Sequence, residues 1–219
     1  MPGQTHNIQG YYPISRHVTQ EIKFIPTERL YADVRSTMMP RLESLYSGGI
    51  TGTGSGHCGS RHFADRYTEQ CEAHINEITG RRHTFLTTSG TASIQLMLMA
   101  AGVAPGDEVI CTNYSCPATV MPIRLLGATP VFVDLDRHGQ QDLAQVAARV
   151  TERTRAVMVT DLYGDCCDYD QLQAIQVPVL NDSAQSLMTL YRGQQTAAIG
   201  DMSIQSFSTN KNCPIFGTY

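Results

Sequence analysis

From Gly80 onward, short apolar runs of strand-forming residues alternate with segments of helical length. The predicted strands are His83–Thr88, Glu108–Thr112, Thr129–Asp134, Ala156–Leu162 and Val177–Leu180. The predicted helices are Thr91–Ala101, Ala118–Leu126, about Gln141–Val150 and a short one near Tyr169–Ile175. Strands that alternate with helices form βαβ units. The pattern therefore predicts an α/β fold, with a mainly parallel sheet, helices on both faces, and ligands bound beyond the carboxyl ends of the strands.

The chain before Gly80 has a different pattern. Residues 1–26 show no clear periodicity and are predicted to form an N-terminal arm, with residues 27–219 forming one large domain. Three features follow the arm: apolar side chains at helical spacing over Glu28–Leu45, a glycine-rich passage at Gly48–Gly59, and a polar helix from about Phe63 to Ile78 that ends at Gly80.

The composition is that of a globular domain. The chain has 219 residues, of which 42% are hydrophobic and 16% are charged, and a domain of this size buries a core without disulfides or metals. Its net charge of −4 gives no electrostatic reason to expect a nucleic-acid partner. No run approaches the ~20 apolar residues of a membrane span, and Met1–Gly10 is too polar for a signal peptide. A cytoplasmic protein without a membrane partner is predicted.

The seven cysteines favour reduced thiols over disulfides or a zinc site. Their number is odd, and no two have the C-x-x-C spacing from which four-ligand zinc sites are usually built. One cluster, Cys58 with His57 and His62, brings metal-ligating residue types together in sequence. We interpret this thiol as one more reduced cysteine of a cytosolic chain, and no metal site is predicted.

Two short motifs lack the context that their functions require. Gly54–Gly59 matches the letters G-x-G-x-x-G, but no buried strand precedes it, so we interpret it as a loop rather than a dinucleotide fingerprint. Ser208–Lys211 matches the S-x-x-K of penicillin-binding enzymes, but no K-T-G follows it.

Ser89-Gly90-Thr91 stands between a predicted strand and a predicted helix. This context places free backbone N–H groups at the positive end of a helix, which is where a phosphate binds. The same three residues are also compatible with an ordinary helix N-cap.

Two later residues belong to the same edge of the predicted sheet. Asp182 follows the strand Val177–Leu180, so its carboxylate is expected in the crevice at the carboxyl ends of the strands; the alternative is an N-cap for a helix over Ser183–Leu187. Lys211 follows a β-type run, Met202–Phe207, and is expected at the same edge; the alternative is a solvated surface lysine. A phosphate cradle, a strand-end Asp and a later Lys are the parts that pyridoxal phosphate requires. The lysine forms a Schiff base, and the acid keeps the pyridine nitrogen protonated.

Seven blocks of sequence extend this agreement, within a similarity that runs from about residue 48 to the end of the chain. They begin at Thr88 (TSGTAS), Gly106 (GDEVI), Gly127 (GATPVFVD), Leu162 (LYG), Asp182 (DSAQ), Gly200 (GD) and Ser206 (SFSTNKN). In order and spacing the chain resembles the DegT/DnrJ/StrS sugar aminotransferases, a branch of the fold-type I pyridoxal-phosphate enzymes.

The resemblance implies a role for each site residue. Lys211 would carry the cofactor and move the proton between the substrate carbon and the cofactor. Asp182 would pair with the pyridinium nitrogen, and Gln185 would contact the hydroxyl side of the ring. The phosphate would be bound by the backbone amides of Gly90 and Thr91 and by the hydroxyl of Ser206. The full set expected at the cofactor is Ser89, Gly90, Thr91, Cys116, Asp182, Gln185, Ser206 and Lys211.

The activity that the resemblance implies is transfer of an amino group from glutamate or glutamine to a keto-sugar, commonly nucleotide-linked, by a homodimer. Lys211 favours transamination over the dehydration catalysed by family members with His at that position. A third activity, cysteine desulfuration, fits less well, because the blocks that begin at Asp182 and Ser206 resemble the sugar branch.

Three departures from the family pattern stand out. Cys116 occupies the position of an aromatic residue that stacks on the cofactor ring, which makes Tyr114 a candidate substitute. Asn181 replaces a frequent acidic residue. The chain ends at Tyr219, eight residues after Lys211, so the resemblance implies an incomplete large domain and a missing C-terminal small domain. The alternative function is therefore that of a truncated, catalytically inactive remnant that binds the cofactor or serves in assembly.

Overall fold

The computed structural model describes residues 35, 39–40, 61–173, 175–208 and 210–211. The chain divides into two compact units, residues 1–55 and 56–219. In the first unit, Arg35, Met39 and Pro40 are described, and all three are helical. The rest of the predicted helix Glu28–Leu45, the predicted arm and the glycine-rich passage with His57 and Cys58 lie outside the described residues. The predicted domain boundary after residue 26 stays a prediction.

The second unit alternates strands with helices. Its α-helices are α1 (Arg61–Thr79), α2 (Gly90–Ala100), α3 (Pro117–Leu125) and α4 (Val146–Arg149). Its strands are β1 (Glu108–Thr112), β2 (Thr129–Val133), β3 (Thr154–Thr160), β4 (Val179–Asp182), β5 (Leu190–Tyr191), β6 (Gln194–Gln195) and β7 (Met202–Ile204). Short 3-10 turns occupy Leu143–Gln145, Tyr169–Leu172 and Thr196–Ala198.

Five of the strands form one parallel sheet in the order β2-β1-β3-β4-β7. Strand register places Thr160 beside Asp182, and Asp182 beside Ile204. The carboxyl ends of β3, β4 and β7 therefore meet at one edge. The remaining strands, β5 and β6, form a separate antiparallel hairpin.

Side chains alternate between two apolar clusters, one on each face of the sheet. In β3, Met158 packs into the first cluster with residues of α2 and α3, whereas Val157 and Val159 pack into the second with Val146 of α4. All five residues of β1 are buried, as expected of a strand covered on both sides. The predicted α/β fold with helices on both faces is confirmed.

The predicted strand His83–Thr88 is wrong. This segment belongs to no sheet, and Phe85 is 80% exposed. Its polar groups bond instead to side chains of α1: the Leu86 N–H donates to Glu72 at 2.9 Å, and the Thr84 hydroxyl donates to Asn76 at 2.7 Å. A strand requires a neighbouring strand for its backbone bonds, and no described strand lies beside this segment.

Other predicted elements differ in length. The helix predicted over Gln141–Val150 is a 3-10 turn followed by the single turn of α4, and the one near Tyr169–Ile175 is a 3-10 turn. The strand predicted at Val177–Leu180 lies two residues later, so Asp182 is its last residue. The polar helix α1 ends as predicted, with Gly80 at φ +73°, a conformation that favours glycine.

Candidate active site

The start of α2 lies where the sequence predicts a phosphate cradle. Ser89 is the N-cap residue, and its Oγ accepts the Ala92 N–H at 3.2 Å, so the ordinary capping role is present as well. The first N–H groups of any α-helix, here those of Gly90 and Thr91, lack intrahelical partners and carry the positive end of the helix dipole. The cap therefore leaves donors available for an anion.

Ser206 lies directly against this helix start. A Cβ added to Gly90 would stand 3.5 Å from both Cβ and Oγ of Ser206. The structure thus brings the cradle and the predicted phosphate-binding hydroxyl together, with glycine leaving open the space between them. Ser206 reaches this position because β7, two residues earlier, pairs with β4.

Asp182 ends β4 as a buried carboxylate, 5% exposed. Its Oδ2 accepts the Thr119 hydroxyl at 2.7 Å, and its Oδ1 accepts the Ala184 N–H at 3.3 Å. Burial is the largest influence and raises the pKa of Asp182, while the hydrogen bonds and the charge of Lys211 lower it. The alternative role as N-cap of a helix over Ser183–Leu187 is wrong, because these residues form turns.

Lys211 is half-buried rather than solvated. Its backbone N–H donates to the Ser208 carbonyl at 2.9 Å, and its charge is close enough to Asp182 to lower the pKa of that carboxyl group. The helix start, the carboxylate and the lysine thus converge at the carboxyl edge of the sheet.

Gln185 and Cys116 border the same edge. Gln185 is half-buried, and its Oε1 accepts the Tyr163 N–H at 3.1 Å, while its amide NH2 has no hydrogen-bond partner among the residues that the structure describes. Cys116 occupies the N-cap position of α3 without a side-chain capping bond, and its thiol is exposed. The Tyr114 hydroxyl, two residues earlier, lies 2.9 Å from the Tyr163 hydroxyl.

Sequence reasoning missed Thr119, which contacts Asp182 directly. Thr119 and Ile123 are buried one turn apart on the inner face of α3. The sequence signal that could have identified Thr119 is a hydroxyl residue within the apolar stripe of this helix, because a buried hydroxyl requires a hydrogen-bond partner.

Sequence reasoning also missed a second buried carboxylate, Asp161, next to the end of β3. Its Oδ2 accepts the Tyr169 hydroxyl at 2.7 Å and the Ser186 hydroxyl at 3.2 Å, and its Oδ1 accepts the Cys167 N–H at 3.2 Å. The Tyr169 hydroxyl also accepts the amide of Asn181 at 2.6 Å. Asn181, where an acidic residue was expected, therefore belongs to a network that already contains a carboxylate.

Two further properties concern the described part of the chain. It contains no group of three or more His, Cys, Asp or Glu side chains arranged to hold a metal ion. Among the same residues, no helix is both long enough and apolar enough to cross a membrane.

A parallel α/β sheet whose carboxyl edge carries a helix-start cradle, a buried Asp and a Lys defines the class of fold-type I pyridoxal-phosphate enzymes. Residues 60–217 match the model of the DegT/DnrJ/EryC1/StrS aminotransferase family, and the chain belongs to this family.

Curated relatives include two enzymes that are named for nucleotide-linked sugars. The UDP-2-acetamido-2-deoxy-3-oxo-D-glucuronate aminotransferase of Pseudomonas aeruginosa is 35% identical over 153 residues, which are 68% of this chain and 43% of the relative. A GDP-perosamine synthase of Caulobacter vibrioides is 34% identical over 67% of this chain and 41% of its own length. This chain thus spans less than half the length of these relatives.

Solved structures agree with the sequence relatives. DesV of S. venezuelae, in complex with a ketimine intermediate, has a TM-score of 0.74 and 27% identity over 91% of this chain and 52% of its own. DesI, in the presence of its TDP-sugar product, has a TM-score of 0.64 and 31% identity over 85% of this chain and 44% of its own. A Streptococcus pneumoniae sugar aminotransferase was solved in its PLP form, with a TM-score of 0.63 and 29% identity over 67% of this chain and 43% of its own. These relatives indicate pyridoxal phosphate as the cofactor.

Proposed function

We propose that this chain holds pyridoxal phosphate at the carboxyl edge of its sheet and transfers an amino group from glutamate or glutamine to a nucleotide-linked keto-sugar. One observation carries the proposal: the start of α2, buried Asp182 and Lys211 converge there. The relatives named for UDP- and GDP-linked sugars support the substrate class.

The cradle fits a phosphate group. The N–H groups of Gly90 and Thr91 would donate to its oxygens, and the hydroxyls of Ser89 and Ser206 flank the same space. Glycine at position 90 matters because any side chain there would fill the gap toward Ser206. These residues bind and orient; they take no part in proton transfer.

Asp182 fits a cationic ring nitrogen. A carboxylate whose burial raises its pKa gains most from a positively charged hydrogen-bond donor, because such a partner offsets the lost hydration. Thr119 and the Ala184 N–H hold the two carboxylate oxygens in place. Asp182 would therefore keep a proton on the ring nitrogen. When bound, the cofactor supplies an electron sink for the pair released as a proton leaves the donor's α-carbon.

Lys211 and Gln185 complete the set. The Lys211 Nζ would attach the cofactor and then accept and return the proton at the substrate carbon. Its position near Asp182 at the carboxyl edge of the sheet favours this role. The amide NH2 of Gln185 would donate to the ring hydroxyl, since its oxygen is already bonded to Tyr163.

We also propose that the protein is a homodimer. Four apolar side chains of α2 and α3 are more than half exposed: Leu96, Met99, Met121 and Leu125. Apolar residues concentrated on two packed helices favour burial against a second surface. Light scattering on the purified protein tests this state directly.

The functional test has two stages. Pyridoxal phosphate added to the purified protein should produce the absorbance of bound cofactor, and glutamate should then convert that absorbance to the aminated form. Asp182→Asn should retain binding and lose nearly all conversion, because it removes a charge-assisted partner worth about 2–5 kcal/mol. Asp168→Asn, a change at an exposed carboxylate outside the site, is the matched control.

The outcomes separate the proposal from its alternative. Binding followed by conversion supports an aminotransferase. Binding without conversion by any amino donor supports the inactive cofactor-binding remnant, and conversion by Asp182→Asn at the wild-type rate would make Asp182 a structural residue.

A further inference from the structure

Two tyrosines from different loops meet beyond the carboxyl ends of neighbouring strands. Tyr114 follows β1 and Tyr163 follows β3, and their hydroxyls lie 2.9 Å apart. Their side chains are 50% and 70% exposed. Exposed side chains of this size lose conformational entropy when they bond to each other. This cost is smaller when the loops that carry the two tyrosines already hold them close together.

The loop of Tyr163 is held in an uncommon conformation. Tyr163 has φ +60°, in the left-handed region that a non-glycine residue rarely adopts. Its N–H is fixed by Gln185 Oε1 at 3.1 Å. Strained backbone of this kind concentrates at ligand sites, where surrounding bonds maintain it.

The loop of Tyr114 is tied to Asp182. The Tyr114 N–H donates to the Thr112 hydroxyl at 3.1 Å, and the next residue, Ser115, lies 2.8 Å from the Thr119 hydroxyl. Because that hydroxyl donates its proton to Asp182, Ser115 must be the donor to Thr119.

These bonds make one continuous path. It runs from Asp182 through Thr119 and Ser115 to Tyr114, crosses the hydroxyl bridge to Tyr163, and ends at Gln185. Its two ends are the residues assigned to the nitrogen and the hydroxyl of the cofactor ring.

We propose that the Tyr114–Tyr163 bridge is a positioning clasp, which holds the Tyr163 loop so that its N–H orients the Gln185 amide toward the cofactor ring. The inference rests on the proposed function. Loss of either hydroxyl releases the Tyr163 loop, and with it the hydrogen bond that orients the Gln185 amide. The cost falls on cofactor binding rather than on folding, because both tyrosines are exposed.

The test compares tyrosine-to-phenylalanine variants in titrations of the purified protein with pyridoxal phosphate. Tyr114→Phe and Tyr163→Phe should each raise the Kd about tenfold, as expected for one lost hydrogen bond. The double variant should show no further loss, because both changes break the same bond. Tyr191→Phe is the matched control, since its hydroxyl donates to Asp168 at 2.6 Å outside the path, and its Kd should equal that of the wild type.

Two other readouts distinguish positioning from a structural role. Without cofactor, both variants should unfold in urea at the wild-type midpoint. With cofactor, the pH profile of its absorbance should shift, because Gln185 contacts the ring hydroxyl.

Wild-type Kd values in both variants, additive losses in the double variant, or an equal loss of stability without cofactor would each overturn the clasp while leaving the proposed function intact. Absence of bound-cofactor absorbance in the wild type would overturn the proposed function and the clasp with it.

Discussion

Two buried aspartates stand side by side at the carboxyl edge of the sheet, and they differ in what surrounds them. Asp161 follows β3 and Asp182 ends β4, and the Asp161 N–H donates to the Asp182 carbonyl at 3.2 Å. Both are at most 5% exposed, and burial raises the pKa of each. Burial and the direction of the pKa shift therefore fail to distinguish them.

Their hydrogen-bond partners do distinguish them. Asp161 accepts three donors, two hydroxyls and a backbone N–H, on the face away from α2 and α3. Asp182 accepts two, and faces Lys211 at the edge. A carboxylate has about four acceptor positions, so Asp182 retains more capacity for a ligand. Asp161, whose hydrogen-bond donors come from its own loops, stabilises the fold. Asp182, which can accept further hydrogen bonds and lies near Lys211, is the carboxylate suited to bind a ligand.

The largest expected difference between the two aspartates is in the free energy of unfolding of their alanine variants, measured without cofactor. Asp161→Ala should lower the free energy of unfolding by about 3 kcal/mol, because it leaves the Tyr169 and Ser186 hydroxyls and the Cys167 N–H without their acceptor. Asp182→Ala should cost about 1 kcal/mol or less, since it abandons fewer donors and removes a buried charge. Urea unfolding followed by circular dichroism measures both, and equal losses would contradict the distinction.

A smaller effect should follow from Tyr169→Phe. Its hydroxyl donates to Asp161 and accepts from Asn181, so its removal deprives both residues of a partner within the Asp161 network. We expect a loss of about 2 kcal/mol in the same urea assay and no change in cofactor affinity. A raised Kd for pyridoxal phosphate, or a loss of glutamate-driven conversion like that of Asp182→Asn, would show that the two aspartates serve one site.

Elements of the fold could be predicted from the sequence where the signal is local to the element. The bounds of β1 were predicted correctly, and α2 and α3 lie within one residue of prediction, because turns, apolar runs and helical spacing are local signals. His83–Thr88 has the composition of a strand, but a strand also requires a partner, which no local pattern specifies.

The residues of the candidate site also divide into those with a local sequence signal and those without one. Gly90 and Asp182 were predicted from a helix start and a strand end, whereas Lys211 follows β7 by seven residues and was predicted because the chain order of the three matched one chemistry. Thr119 and Tyr163 were missed, because their partners are distant in sequence and only the folded sheet brings them together.

The smallest effect concerns the pH dependence of stability. Because burial raises the pKa of both aspartates in the folded state, the folded protein binds more protons than the unfolded chain above the ordinary Asp pKa of about 3.9. The free energy of unfolding should therefore fall as the pH rises from there through the raised pKa values. Asp161→Asn and Asp182→Asn should each flatten this slope.

The cofactor should separate the two contributions. A cationic ring nitrogen beside Asp182 would lower the pKa of that carboxyl group, so the contribution of Asp182 to the slope should disappear when pyridoxal phosphate is bound, while that of Asp161 persists. Urea unfolding at a series of pH values, with and without cofactor, measures the change. A slope unaffected by the cofactor would place the ring nitrogen away from Asp182.

The most direct measurement uses the scarcity of lysine in this chain, whose two lysines are Lys23 and Lys211. Borohydride reduction in the presence of pyridoxal phosphate, followed by peptide mapping, locates the amine that holds the cofactor. We predict one pyridoxyl group on Lys211, with labelling lost in Lys211→Arg and unchanged in Lys23→Arg. Labelling of Lys23 or of the N-terminal amine, with Lys211 unmodified, would contradict the assignment of this edge of the sheet as a pyridoxal-phosphate site.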